Sequence, residues 1–315
     1  MAYRLQAKKV WVAGHQGMVG SAIVRRLSRE DCEVVAVNHS ELDLSRQTEV
    51  EDWIEENRPQ AIFIAAAKVG GISANITQPT DSIYTNMMIE ANIVEAARRT
   101  GVEKLLMLGS SCIYPREATQ PMREDYLLAG ALEPTNEAYA VAKIAGIKLC
   151  QAYRQQHGCD FISVIPTNIY GPGDNFDPNN SHVPAALLDR FHKAKQASES
   201  SVEVWGTGRP RREFLHVDDL ADACIFLMQE HSCEQIINIG TGRDISIADF
   251  ASLVAETVGY SGNIEYNPSR PDGAPRKLLD ISKAEALGWK ASIELRTGLR
   301  NYYDWYLENL TNLRP

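Results

Sequence analysis

Short runs of apolar residues alternate with longer amphipathic segments through the first half of the chain. Apolar runs that are bounded by polar residues and are too short for a buried helix are typical of strands covered on both faces. The segment that ends at Thr100 is followed by Gly101, a common helix C-cap. The alternation predicts an α/β fold with a parallel sheet. The predicted strands cover residues 9–13, 33–37, 61–67, 104–109 and 161–165, and the predicted helices end at Arg29 or cover 84–100 and 137–157.

The first strand runs directly into a glycine-rich turn, which is followed by a helix. Three glycines at this place permit a tight turn, let backbone N–H groups approach a pyrophosphate, and let the helix pack close to the strand. The spacing is G-x-x-G-x-x-G, and alone it is also compatible with a simple tight turn; its place between strand and helix favours a dinucleotide site. We therefore predict a Rossmann-type doubly wound parallel sheet. The predicted cofactor contacts in the turn are Gly14, His15, Gln16, Gly17, Met18, Val19 and Gly20.

The end of the second predicted strand bears on which dinucleotide binds. An NAD site usually carries an acid there for the ribose 2′-hydroxyl, whereas this chain has Asn38 followed by His39. The missing acid favours NADP, although no arginine stands there for a 2′-phosphate. Arg25, Arg46 or His39 could take that place. Leu44 begins the next connection, where the adenine ring would be held.

Tyr139 and Lys143 stand four residues apart in a predicted helix and therefore share one of its faces. A neighbouring ammonium favours the phenolate, so we expect Lys143 to lower the pKa of Tyr139 from about 10 and to make the pair a general acid/base. The spacing alone is also typical of an ordinary surface helix. The glycine turn favours catalysis, as do Ser110, Ser111 and Cys112 at the end of the fourth strand, where ligands bind in such sheets.

The composition changes near Gly171, where proline, asparagine and glycine become frequent and the alternation loosens. We predict a nucleotide-binding domain at 1–170 and a smaller C-terminal α/β substrate domain at 171–315. Segments between about 202 and 240 would partly return to the first domain. These are strands at 202–205 and 235–239 and a helix at 218–229.

The charge and composition of the chain limit the classes of partner and the kinds of site that we expect. The net charge of −9 argues against nucleic acid or an acidic membrane surface. No apolar run approaches the roughly 20 residues of a membrane helix, and polar residues interrupt the N-terminus, so a cytoplasmic location is expected. The six cysteines are scattered without a C-x-x-C pair, which argues against a disulfide framework and a metal site.

Five segments carry a resemblance that covers essentially the whole chain. They are K-V-G-G-I at 68–72, S-S-C-I-Y-P at 110–115, P-T-N at 166–168, D-N-F at 174–176 and N-S-H-V at 180–183. With the glycine turn and the Tyr/Lys pair, they resemble the extended short-chain dehydrogenase/reductases that act on nucleotide sugars, and among them the GDP-L-fucose synthase family. The turn and the pair are shared by the superfamily, whereas the cysteine after two serines and the Asn-Ser-His segment are much more specific.

The resemblance implies an NADP-dependent oxidoreductase with epimerase activity on GDP-4-keto-6-deoxy-D-mannose. Ser110 and Tyr139 would hydrogen-bond the C4 carbonyl, Tyr139 would donate the proton, and Lys143 would hold the nicotinamide ribose. Cys112 would remove protons at C3 and C5, and His182 would return them on the opposite face. A thiol and an imidazole have pKa values suited to such work. Without the resemblance, Cys112 would be interpreted as a small buried hydrophobe and His182 as a solvated side chain.

The same resemblance implies further ligand contacts. Arginines suit a diphosphate, and a tryptophan offers a stacking face. Relatives are commonly homodimers built from the Tyr/Lys helix and the helix before it, and small residues within 138–153 would permit close packing. The implied cofactor contacts are Leu108, Gly109, Lys143, Pro166, Thr167, Asn168, Ile169 and His182; the substrate contacts are Arg190, Trp205, Arg212, Asp272 and Arg276; and the small residues are Ala140, Ala142, Ala145 and Gly146.

Two positions depart from the family pattern. Bacterial members carry an arginine in the glycine turn and another after the second strand, where this chain has Gln16 and Asn38-His39. NADP is still the expected cofactor, because reductive biosynthesis in this family usually uses it. Three alternatives stay open: a 4-reductase or 4-epimerase for another nucleotide sugar, an enzyme for a 3,6-dideoxy sugar, and a non-catalytic NADP-binding protein. The presence of Ser110, Tyr139 and Lys143 argues against the last.

Overall fold

A computed structural model describes residues 2–70, 72–177, 181–270 and 272–313, and of residues 72–74 it describes the backbone alone. Gly71 and Asn180, which belong to two of the motifs, lie outside the described residues. Within these ranges, no helix combines the length and apolar character needed to cross a membrane. The strands are β1 Lys9–Ala13, β2 Glu33–Val35, β3 Ala61–Ile64, β4 Lys104–Leu108, β5 Phe161–Pro166, β6 Asn168–Tyr170, β7 Ser201–Trp205, β8 Arg211–His216, β9 Ile237–Ile239, β10 Asp244–Ser246, β11 Asn263–Asn267 and β12 Arg276–Lys277. The helices are α1 Met18–Leu27, α2 Gln47–Asn57, α3 Ile72–Thr77, α4 Asn86–Thr100, α5 Glu137–His157, α6 Val183–Gln196, α7 Val217–Glu230, α8 Ile247–Val258, α9 Ser282–Leu287 and α10 Leu295–Glu308.

Six parallel strands form the main sheet, in the order β2-β1-β3-β4-β5-β9. Alternate residues of each strand face opposite layers of helices. Val10 and Val12 pack with α1 and α7, whereas Trp11 and Ala13 pack with α2, α4 and α5. Burial on both faces explains why the strands are continuous apolar runs, and it confirms the predicted doubly wound sheet. The strand order reverses beside β1, which places a crevice at the carboxyl ends of β1 and β3.

The second unit is built around β8, which pairs with β6, β10 and β12. A two-stranded sheet of β7 and β11 lies in the same unit. Aromatic side chains dominate its core, among them Tyr170, Phe191, Phe250 and Tyr302. Only Thr167 separates β5 from β6, so the second unit begins directly at the carboxyl edge of the main sheet.

The later segments divide between the two units. α7 packs on the main sheet and β9 is its last strand. The predicted return of residues 202–205 is wrong, because β7 pairs with β11 and its buried residues, Val202 and Val204, face the second core. The alternation of buried and exposed residues along β7 shows that one face of this strand is covered, whereas an inner strand of the main sheet is covered on both.

Candidate active site

The glycine turn between β1 and α1 is too tight for other side chains at two positions. Gly14 has φ +84°, and a Cβ there would lie 2.6 Å from the backbone of Ala66 at the end of β3. A Cβ at Gly20 would overlap the carbonyl oxygen of Gly14 and lie 2.9 Å from the Cα of His15. Gly17 is the N-cap residue of α1, and it has no side chain that could accept hydrogen bonds from the first N–H groups of the helix. These donors are therefore available to an anion.

The turn fits the pyrophosphate of a dinucleotide. A helix N-terminus combines free N–H groups with the positive end of the helix dipole. His15 Nδ1 is buried and has no hydrogen-bond partner among the described residues, as expected of a group that meets a ligand. The loop after β6 approaches the same point, because a Cβ at Gly173 would lie 3.4 Å from the Cα of Met18. Val19 packs against the core beneath the turn.

The end of β2 adjoins the turn. Gln16 Nε2 donates to Asn38 Oδ1 at 2.9 Å, which joins the two segments where a 2′-phosphate would lie. The two arginines considered for that phosphate already have carboxylate partners, with which a phosphate would compete. The three candidates are Arg25, 2.7 Å from Asp218, Arg46, 3.6 Å from Asp43, and the exposed His39.

The carboxyl ends of β4 and β5 hold the remaining cofactor candidates. A Cβ at Gly109 would lie 2.5 Å from Ile165 Cδ1, so a larger residue there would require the Ile165 side chain to shift. The Thr167 N–H donates to the Ile239 carbonyl at 3.0 Å, and the Asn168 amide donates to the Glu213 carbonyl at 2.8 Å. These bonds fix the crossing from the main sheet to β6. Leu108, Pro166 and Ile169 lie in the same two segments, and Leu44 packs against the core on the α4 side.

Ser110, Cys112, Tyr139 and Lys143 form one group at the end of β4. The Ser110 hydroxyl accepts from the Cys112 N–H at 3.5 Å and caps a 3₁₀ turn, Ser111–Ile113. α5 packs against this turn and places the Lys143 ammonium 5.8 Å from the centre of the Tyr139 ring. Lys143 also donates to the Leu108 carbonyl at 2.9 Å. Four of the five predicted catalytic residues are thus neighbours.

The Tyr139 phenol behaves differently from the expectation. Burial raises the pKa of Tyr139 to about 12; Lys143 lowers it in part, while Cys112 and Glu90 raise it further. The predicted net lowering by Lys143 is wrong, because the loss of water around the phenol outweighs the attraction of the ammonium. Tyr139 therefore keeps its proton at neutral pH, as a proton donor must.

The Cys112 thiol is buried beside two cations. Burial raises the pKa of Cys112 above its usual value, and the opposing effects of Ser110, Lys277 and Lys143 offset this only in part. Burial lowers the pKa of Lys277, and Cys112 raises it, so the ammonium and the thiol act on each other across the gap between β12 and the 3₁₀ turn. A nearby cation is what a thiol needs to serve as a base.

His182 stands apart from this group. It is the N-cap residue of α6, next to residues 178–180, which lie outside the described ranges. Although the residue is exposed, the protein around it is close enough that desolvation lowers the pKa of its ring. Among the described residues, no contact joins His182 to Cys112 or Tyr139.

Trp205 lies at the end of β7 with 52% of its surface exposed. The Arg270 guanidinium lies 4.8 Å from the centre of its ring, and that of Arg190 lies 5.8 Å away. The adjoining turn is fixed by Asp272, which accepts from the Thr207 N–H at 2.6 Å. An exposed indole flanked by guanidiniums offers a stacking face and positive charge to a nucleotide.

The pairing of β8 with β12 separates two predicted substrate residues. Arg276 is in register with Arg211, and Lys277 is in register with Arg212. Because side chains alternate along a strand, Arg276 and Arg211 share one face, where both are ion-paired with Asp244. The structure therefore does not bring Arg276 to Arg212, and Lys277 shares the face of Arg212 instead.

Sequence reasoning missed three residues of this site: Glu90, Lys277 and Arg270. Glu90 on α4 is 2% exposed and lies 2.9 Å from the Lys143 ammonium. Lys277 gave no sequence signal, because β12 has only two residues and its register against β8 decides which of them shares the face of Arg212. Arg270 gave no sequence signal, because its partner Trp205 is contributed by a separate segment.

Comparison with known proteins agrees with this geometry. Residues 10–240 match the NAD dependent epimerase/dehydratase family. The chain is 54% identical over 308 residues to GDP-L-fucose synthase 1 of Arabidopsis thaliana, covering 98% of this chain and 95% of that protein.

Two solved structures have closely similar folds. A GDP-L-fucose synthetase from Naegleria fowleri bound to NADP has a TM-score of 0.92 and 26% identity, and the match covers 100% of this chain and 98% of the other. A GDP-6-OMe-4-keto-L-xylo-heptose reductase from Campylobacter jejuni has a TM-score of 0.92 and 37% identity, covering 98% and 100%. The chain belongs to the NAD dependent epimerase/dehydratase family and, within it, to the GDP-L-fucose synthases.

Proposed function

We propose that this enzyme converts GDP-4-keto-6-deoxy-D-mannose into GDP-L-fucose by epimerisation at C3 and C5 and NADPH-dependent reduction at C4. One observation carries the proposal: the buried thiol of Cys112 lies in the same group as the Ser110 hydroxyl and the protonated phenol of Tyr139. A simple ketone reductase needs the phenol and the serine, but it has no use for the thiol base. The glycine turn beside this group suits the dinucleotide.

In the reduction, the chain binds the C4 oxygen and supplies one proton. Ser110 and Tyr139 hydrogen-bond the ketone oxygen, and the Tyr139 proton passes to that oxygen as negative charge develops on it. Burial lowers the pKa of Lys143, but Glu90 and Tyr139 raise it above its usual value. Lys143 therefore stays charged and stabilises the phenolate that remains. Bound NADPH supplies the hydride.

In the epimerisation, Cys112 is the base. Its thiolate takes the proton from C3 or C5, and the electron pair of the C–H bond moves into an enolate whose oxygen is held by Ser110 and Tyr139. Lys277 favours the thiolate that starts this step. His182 returns a proton to the opposite face, and its lowered pKa makes the protonated ring a stronger acid.

The GDP moiety is assigned to the surface around Trp205. The indole face suits the guanine base, and Arg190 and Arg270 beside it add positive charge near the nucleotide. Arg212 lies beside the turn that contains Asp272. Burial lowers the pKa of Arg212, and the negative charge of Asp272 partly opposes this effect. The place of Arg212 on the same face as Lys277 suits the diphosphate between the base and the reacting sugar.

A plain C4 reductase for a GDP-sugar is the second candidate. The similar Campylobacter protein is itself a reductase by name. Such an enzyme would reduce C4 without exchanging protons at C3 or C5.

Turnover in heavy water separates the candidates. The purified enzyme is incubated with GDP-4-keto-6-deoxy-D-mannose and NADPH, while NADPH absorbance is followed and deuterium in the product is located by NMR. Deuterium at C3 and C5 together with NADPH oxidation is expected. Oxidation without that deuterium would favour the plain reductase, and an enzyme that oxidises no NADPH would refute the substrate.

We further propose a cytoplasmic homodimer that forms through α4 and α5. Met87 and Val141 on these helices are 41% and 37% exposed. Three of the four small residues considered for this contact, Ala140, Ala142 and Gly146, are buried within the protomer, whereas Ala145 is partly exposed. Sedimentation equilibrium is expected to give a dimer for the wild type and a weakened dimer for Val141→Glu. A monomeric wild type would contradict the proposal.

A further inference from the structure

Glu90 is an acid in the interior, where an unpaired carboxylate is costly. Its side chain is 2% exposed, as is that of Lys143, and Oε1 lies 2.9 Å from the Lys143 ammonium. The second carboxylate oxygen, Oε2, has no hydrogen-bond partner among the described residues. The carboxylate thus has the catalytic lysine as its ion-pair partner and does not belong to a wider salt-bridge network in the described part of the chain.

A glycine on the facing helix makes room for this carboxylate. Gly146 lies three residues after Lys143, on the same face of α5. A Cβ at Gly146 would overlap Glu90 Oε2 and lie 2.8 Å from Glu90 Cδ. Any larger residue would require the Glu90 carboxylate and the Met107 side chain to shift. The ion pair is therefore built by both helices.

Four groups face Glu90 or the pair it forms: Lys143, Tyr139, Cys112 and Cys150. Lys143 favours the phenolate of Tyr139, whereas Glu90 opposes it. The same carboxylate keeps Lys143 charged in spite of its burial. Glu90 therefore acts on the proton donor in two ways, through its own charge and through the lysine.

We propose that Glu90 is a positioning residue of the reductase: it fixes the Lys143 ammonium and offsets its charge, so that Tyr139 keeps its proton until the ketone oxygen takes it. The inference rests on the proposed function for its catalytic consequence, but the ion pair itself can be tested without substrate. Nothing in this assignment requires Glu90 to touch the sugar or the dinucleotide.

The test variant is Glu90→Gln, which keeps the size of the side chain and removes its charge. The ionisation of Tyr139 is read from tyrosinate absorbance, by subtracting the titration of the same protein carrying Tyr139→Phe. In Glu90→Gln the phenolate itself still favours the charged form of Lys143, so the loss of the direct repulsion by Glu90 decides the sign. We expect Tyr139 to ionise at least about one pH unit lower in Glu90→Gln than in the wild type. The alkaline limb of kcat for NADPH oxidation should move to lower pH in the same direction, because the donor proton is lost earlier.

The matched control is Glu95→Gln on the same helix. Glu95 is paired with Arg98 and accepts a hydrogen bond from Tyr153, away from the catalytic group. Removing its charge should therefore leave the Tyr139 titration and the pH dependence of kcat unchanged. A purely structural role for Glu90 predicts a lower Tm with unchanged titration, and that result overturns the inference. If Glu90→Gln does not fold, Glu90→Asp retains the charge at a longer distance; an intermediate shift is expected, and a curve identical to wild type also overturns it.

Failure of the inference and failure of the proposed function look different. A wild-type enzyme that does not oxidise NADPH with the GDP-sugar refutes the function, while the tyrosinate titration still decides the role of Glu90. An unshifted titration in an active enzyme refutes the role of Glu90 and leaves the function standing.

Discussion

The glycine turn has two roles: Gly20 lets α1 pack closely against the turn, and Gly17 lies where the pyrophosphate is expected. Replacing each glycine by alanine tests which role it has. A Cβ at Gly20 would lie 2.7 Å from the Gly14 carbonyl carbon and 2.9 Å from the His15 Cα, whereas carbon atoms in contact normally lie about 3.5–4.0 Å apart. All the obstructing atoms belong to the backbone and have no rotamer with which to move away. α1 must therefore withdraw from the turn.

The size of the Gly20→Ala effect follows from two opposing contributions. Overpacking of this kind costs about 1–3 kcal/mol, and replacing glycine by alanine inside a helix returns roughly 0.5–1 kcal/mol. We expect a net loss of about 1–2 kcal/mol of stability, or a fall in Tm of roughly 2–3 °C, for the protein without cofactor. NADPH affinity should fall as well, because the helix N-terminus moves.

Gly17→Ala should mainly weaken NADPH binding and should have little effect on stability. A Cβ at Gly17 meets only the Gly14 carbonyl oxygen, at 3.3 Å, and its φ of −68° suits alanine, so Tm should change by less than in Gly20→Ala. The added methyl group stands at the helix N-terminus, where the pyrophosphate is expected, so NADPH affinity should fall at least about tenfold. Calorimetric Tm and fluorescence titration with NADPH measure the two effects. A Gly17→Ala protein that binds NADPH as tightly as wild type would refute the assignment of the pyrophosphate to this turn.

Four further outcomes are expected. Tyr139→Phe should leave NADPH affinity within about twofold and slow single-turnover hydride transfer by roughly 10²–10⁴-fold, because the general acid is lost; a wild-type rate would remove Tyr139 from that role. Cys112→Ala should abolish solvent exchange at C3 and C5, and persistent deuterium uptake at both carbons would contradict its role as base. Lys277→Gln should raise the pKa of Cys112 and so move the exchange rate to higher pH, which pH-dependent NMR exchange rates measure; an unmoved profile argues against the cation. NADPH should bind roughly tenfold better than NADH, about 1.4 kcal/mol, and equal dissociation constants by calorimetry would mean that Asn38 does not distinguish them.

The main sheet could be predicted from the sequence because its strands are covered on both faces. Continuous apolar runs such as β4 and β5 leave few alternatives once they are separated by helical patterns. β7 was assigned to the wrong sheet, because a strand covered on one face shows only alternation, and alternation does not specify which sheet covers it. The partner of β7 lies about sixty residues later in β11.

The site was predicted residue by residue where a motif fixes the positions, and missed where two strands or helices meet. Arg276 and Lys277 are adjacent in the sequence, so composition cannot decide which one shares a face with Arg212. The register of β12 against β8 decides it, because that register places Lys277 beside Arg212 and leaves Arg276 with Asp244. A shift of one residue in this short strand would exchange the two roles.

The protonation of Tyr139 shows why spacing alone could not give the chemistry. Tyrosine and lysine four residues apart would lower the phenol pKa if both were solvated, but burial reverses the sign. That reversal suits a reductase, which consumes a proton from the phenol, and an enzyme that mainly oxidised alcohols would need the phenolate instead. The buried carboxylate of Glu90 acts in the same direction as burial. Desolvation and the second helix therefore set the protonation state of Tyr139, and neither can be deduced from the Tyr-x-x-x-Lys motif.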